Sequence, residues 1–190
     1  MSQNANAQQA RTVTTVDRGK LDLKALTLYA ILLAAGFVLN MTVSKFFSGL
    51  TGGILSPEFI IAAFCLETLI IRPKVGQAAV LGLLAGVVIQ ITASVKGPDL
   101  IAEPVAAVVM ALLVSALGNG GAKKVLPLVG TFVVTCISGL IYAVVLACLV
   151  QRNPQLIMVM VPVVAMTGAV NAIIVQALYI PIKKALKLAD

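Results

Sequence analysis

Apolar residues run through this chain in long blocks, and the polar and charged residues gather in short stretches between them. After a polar, Asn- and Gln-rich opening, MSQNANAQQARTVTTVDRGK, the blocks cover residues 25–44, 54–71, 75–95, 100–118, 125–150 and 156–182. An α-helix needs about 20 apolar residues to cross the hydrocarbon core of a bilayer. The pattern therefore predicts an all-α polytopic membrane protein with six transmembrane helices. Residues 1–20 read as a disordered polar tail, and residues 21–190 as a single six-helix membrane domain.

Composition sharpens this picture. The 190 residues are 60% hydrophobic and only 11% charged, with a mean hydropathy of +1.06. Globular domains carry about 25% charged residues, so a soluble fold could not hide this much apolar surface. The net charge of +7 does not signal nucleic acid, because the basic residues punctuate the blocks and form no patch on one element. Assigning the connections alternately to two sides, 11 of the 14 Lys and Arg fall on the side of the termini. The other side receives Lys45, Lys96 and Arg152. The positive-inside rule then places both termini in the cytoplasm and the protein, multi-pass, in the cell membrane.

Polar groups at membrane depth are costly, so their positions carry information. They gather toward the outer half: Asn40 in the first span, Glu58 opening the second, Gln90 and Ser94 ending the third, Asp99 and Glu103 opening the fourth, Tyr142 in the fifth, and Asn171 near the middle of the sixth. Together these eight are the candidate substrate-binding residues of a pocket reached from outside. Taken singly, each also fits an ordinary interfacial position. Gln90 and Ser94 share a face if the third helix continues through both. The tetrapeptide SPEF reads as a helix start, with Ser56 as N-cap, Pro57 at the first helical position and Glu58 against the positive end of the dipole. Asp99, after Pro98, can cap the fourth helix in the same way. Glu103 precedes Pro104, which disfavours helix at Glu103, so the stretch KGPDLIAEP reads as a broken helix start dipping into the membrane. Glu67 reads as an interfacial acid paired with Arg72 or as a contact to a cytoplasmic-side partner.

Small residues four apart make flat helix faces: Ala30 with Ala34 in AILLA, and Gly82 with Gly86 in GLLAG. Such faces serve internal packing or the docking of another membrane subunit. Enzymatic chemistry has little footing. The chain has no His, its three Cys lie within apolar blocks without metal-type spacing, and no phosphate loop, nucleophile elbow or zinc motif occurs. No catalytic residue, metal site or cofactor is expected. With no run of charges inside the spans, an energy source for transport would lie outside the chain.

The segments SPEFIIAAFCLETLIIRPKVGQAAVLGLLAGVV, GPDLIAEPVAAVVMALL, VGTFVVTCISGLIY and AVNAIIVQALYIPI resemble the TrpP-type tryptophan transporter family, within the substrate-binding S components of energy-coupling-factor transporters. The resemblance implies six helices and a ligand held under the outer loops. It also implies import of a small amphoteric molecule, tryptophan first, with ATP hydrolysis by a separate pair of cytosolic ATPases joined through a transmembrane coupling subunit. By position, Ala30 and Ala34 match the small-residue motif that faces that coupling subunit. Glu103 stands where the tryptophan group tends to carry a basic residue, and an acid there suits an amine or another donor. A self-contained secondary transporter or channel for a small polar molecule is the alternative, and a membrane sensor without transport a third reading.

Overall fold

A computed structural model describes Gly19 and residues 21–93, 95–118 and 124–186. These residues form an all-helical bundle of six rods: α1 (Leu23–Leu50), α2 (Phe59–Ile71), α3 (Val75–Gln90), α4 (Pro98–Leu117), α5 (Leu126–Val150) and α6 (Leu156–Ala185). Four of them, α1, α4, α5 and α6, are long and apolar enough to cross a membrane. The other two have 13 and 16 residues, or about 20 and 24 Å at 1.5 Å per residue. That is short of the roughly 30 Å hydrocarbon core.

The shortest rod is the centre of the bundle. Its sequence, FIIAAFCLETLII, is apolar around nearly the whole circumference, the signature of a helix buried on all sides. Every residue from Ile60 to Ile71 is buried, and α2 touches all five other rods. Around it the chain pairs neighbour with neighbour: α3 with α4, α4 with α5, and α5 with α6. Tyr29 of α1 fastens the same core, its hydroxyl donating to the Leu81 carbonyl of α3 at 2.5 Å.

Helix ends follow local chemistry. Asp22 caps α1, its carboxylate accepting the Ala25 N–H at 2.8 Å. α2 stops at Arg72, in the left-handed region (φ 55°) just before Pro73. The Arg72 guanidinium crosses to the Gly118 carbonyl at 2.7 Å. The expected pairing of Arg72 with Glu67 does not form: Glu67 is fully buried and neither carboxyl oxygen has a hydrogen-bond partner.

Several expected boundaries move. The first span runs beyond Ser44 to Leu50, carrying Lys45 within the helix through a π-helical turn at Asn40–Ser44. The second begins at Phe59 rather than residue 54, because Gly52 and Gly53 adopt positive φ and shape a turn ahead of Pro57. Glu58, not Ser56, is the N-cap, and its side chain makes no capping bond. The third helix ends at Gln90. Ser94 itself lies outside the described residues, as do residues 1–18 and 20 of the expected tail.

The largest correction concerns KGPDLIAEP. α4 starts at Pro98, directly after N-cap Gly97, and continues unbroken through Glu103 and Pro104. Packing overrides the local preference. Gly82 of α3 lies so close to this turn that a Cβ there would stand 2.5 Å from the Glu103 carbonyl oxygen and 2.7 Å from Pro104 Cα. One turn on, a Cβ on Gly86 would stand 2.7 Å from the Asp99 carbonyl. The glycine face of GLLAG is thus an internal packing face. Ala30 and Ala34, by contrast, are exposed on α1.

Candidate functional site

At one end of the bundle the C-terminal parts of α1, α3 and α5 meet the N-terminal parts of α2, α4 and α6 around a cavity of about 370 Å³. Small-molecule sites run from about 300 to 1,000 Å³, so this cavity suits a compact ligand. Its lining includes the apolar Ile61, Ile89, Met160, Val163 and Val164 and the polar Glu58, Asp99, Glu103 and Tyr142.

The α1–α2 corner is built from borrowed caps. The first backbone N–H groups of a helix have no partner within it, and at the start of α2 two asparagines from other rods supply them. Asn40 accepts the Phe59 N–H at 2.7 Å, and Asn171 of α6 accepts the Glu58 N–H at 3.0 Å. Asn171 also donates to the Glu58 carbonyl at 3.1 Å and to the Thr135 hydroxyl at 3.4 Å. The Asn40 amide donates to the Glu58 carboxylate as well. Gly36, one turn before Asn40, makes this reach possible: a Cβ there would stand 2.8 Å from the Phe59 carbonyl oxygen.

The π turn then sets what α1 presents to the cavity. Asn40, Ser44 and Lys45 all line it. In an α-helix, residues five apart point about 140° away from each other; the wider i→i+5 turn brings Asn40 and Lys45 onto one side.

The α3–α4 corner places the other acids. Asp99 lies in the first turn of α4 and accepts from the Gln90 amide at 3.3 Å. The side-chain oxygen of Gln90 accepts the Gly97 N–H at 2.8 Å, so Gln90 braces the connection from behind the cavity. Glu103 is only 2% exposed yet lines the cavity. Ser138 of α5 donates to its Oε1 at 2.8 Å, while Oε2 has no hydrogen-bond partner.

Of the eight residues expected to bind substrate, the structure brings Asn40, Glu58, Asp99, Glu103 and Tyr142 into the lining of one cavity. Gln90 and Asn171 stand behind it, holding backbone. Asp99 is not the helix cap it was expected to be, since Gly97 occupies that position. Sequence reading missed Lys45, Thr135, Ser138 and Thr167, whose hydroxyl donates to the Ser56 carbonyl at 3.0 Å. A signal existed for part of this: Thr131, Thr135, Ser138 and Tyr142 recur at spacings of four, three and four, a polar stripe along one face of α5. Among the described residues, no three His, Cys, Asp or Glu side chains come together closely enough to hold a metal ion.

Comparison of the chain with protein-family models, with characterised proteins and with solved structures finds no match.

Proposed function

We propose that this chain is a membrane-embedded binding subunit for a small amphoteric molecule, tryptophan first, feeding an ATP-driven importer of the energy-coupling-factor type. The observation that carries the reading is the cavity: a compact chamber at one end of a hydrophobic bundle, lined by both apolar and polar side chains. A ligand with an apolar body and a charged head fits such a chamber. In this reading all six rods lie in the cell membrane with both termini cytoplasmic, and the cavity opens outward. The described charges support that orientation: Lys24, Arg72, Lys74, Lys124, Lys183 and Lys184 sit at the helix ends away from the cavity. A transmembrane coupling subunit would meet α1, where Ala30 and Ala34 are exposed, and paired cytosolic ATPases would drive transport. The chain itself would hydrolyse no ATP.

The test uses the absence of Trp from the chain. Added tryptophan would shift its indole emission saturably on binding to the purified subunit, with no protein Trp to mask it. No shift up to millimolar concentration would exclude tryptophan. The alternative, a self-contained secondary transporter, draws on one observation: Glu67, a carboxyl buried in the central helix with no hydrogen-bond partner, is the kind of group that marks ion or proton pathways. That reading requires tryptophan flux into liposomes containing this chain alone.

A further inference from the structure

The cavity wall carries three carboxyl groups, Glu58, Asp99 and Glu103, and one basic residue, Lys45, which is exposed. Each of the three acids has one side-chain donor. Asn40 donates to Glu58, and Gln90 donates to Asp99. Glu103 differs. Ser138 holds Oε1, which sets the orientation of the carboxyl group, and Oε2 is buried without a partner on a residue that lines the chamber. A buried polar atom without a partner is costly, and almost all such atoms in folded proteins are paired. An oxygen held in that condition at a ligand-sized cavity is an acceptor waiting for a donor.

We propose that the ligand is recognised through an ammonium group that donates to Glu103 Oε2, and that its net charge is zero or positive. The proposal rests on the reading of the cavity as the binding site and specifies its selectivity. With three acids facing one base, a carboxylate in the chamber meets repulsion and an ammonium meets attraction. The dispersal of the acids suits an organic cation rather than a bare metal ion, since no three such side chains cluster among the described residues. The ligand's apolar body then lies against Ile61, Ile89 and Val164. If the ligand also bears a carboxylate, that group turns toward Lys45. Glu103 is the specificity-determining residue, and Ser138 the positioning residue that presents it.

Three indoles separate the possibilities when the emission of each is titrated with the purified wild-type protein: tryptophan (ammonium and carboxylate), tryptamine (ammonium alone) and indole-3-acetate (carboxylate alone). Tryptamine is expected to bind at least as tightly as tryptophan, and indole-3-acetate at least tenfold more weakly than either. Glu103→Gln, which keeps shape and removes charge, is expected to weaken tryptamine at least tenfold, because hydrogen bonds to an ionised acceptor are about twice as strong as neutral ones. Ser138→Ala is expected to weaken it less. Indole-3-acetate binding as well as tryptamine would overturn the proposal while leaving the binding-subunit reading intact. Equal tryptamine affinity in a folded Glu103→Gln protein would also overturn it. Failure of all three indoles to bind would overturn the tryptophan reading and this proposal together.

Discussion

At the scale of single residues, two asparagines carry more than their side chains suggest. Asn40 and Asn171 come from opposite ends of the sequence and satisfy the first backbone groups of the central helix. Removing one leaves buried backbone polar groups unmet, a loss of about 1–3 kcal/mol. Asn171→Ala should therefore destabilise the purified protein by that amount, read as a lowered thermal midpoint in detergent. An unchanged midpoint would mean that water or a neighbour replaces the amide. Sequence reading picked out both positions as polar groups at membrane depth, but could not separate a residue that faces a ligand from one that faces a backbone. The distinction depends on where α2 begins, and the SPEF signature placed that start two residues early. Ser138 was passed over because a lone hydroxyl in an apolar block is common; only its place in the stripe with Thr131, Thr135 and Tyr142 marks it.

At the scale of elements, the glycine face of α3 decides how α4 runs. A Cβ at Gly82 would press on the backbone of the turn that holds Glu103, and backbone cannot move aside as a side chain can. Gly82→Ala should destabilise by about 1–3 kcal/mol, the usual cost of overpacking, and should lower ligand affinity by shifting Glu103. Gly76, on the same helix, has no atom within 4 Å of a built Cβ. Gly76→Ala should be neutral or raise stability by up to about 1 kcal/mol through better helix propensity. Equal thermal midpoints for the two variants would remove the packing argument. The motif GLLAG was legible as a packing face. Its partner was not, because Pro104 suggested a break at the very turn the glycines hold straight.

At the scale of the whole molecule, hydropathy showed a bundle of apolar helices, four of them long enough to cross a membrane, but not its layering. Lipid tails and protein interior are about equally apolar, so the block that became the buried centre reads like the blocks that face outward. Only its shortness and its lack of a polar face hinted at the difference. The sidedness of the basic residues was legible, and it yields a test of the proposed orientation. In a background with Cys65, Cys136 and Cys148 replaced, Arg152→Cys should react with a membrane-impermeant thiol reagent on intact cells. Lys74→Cys should react only after permeabilisation. The opposite labelling would invert the topology and turn the cavity toward the cytoplasm.

The π turn at Asn40–Ser44 also has a genetic reading. A π turn is equivalent to one residue more than a regular helix needs, so α1 carries an insertion that the wide turn absorbs without rephasing the remainder of the rod. Deleting Thr42 would let the rod close into ordinary α-helix. Lys45 would then follow Asn40 by one α-helical turn, about 40° round the rod at roughly 100° per residue, so both would stay on the cavity side. Such a one-codon deletion would leave a protein that still folds and keeps its charge balance around the cavity, whereas a deletion in the regular helix before Asn40 would turn that part of α1 relative to the cavity by about 100°. In α1 the wide turn is thus the one place where a residue can be lost without turning the rest of the rod.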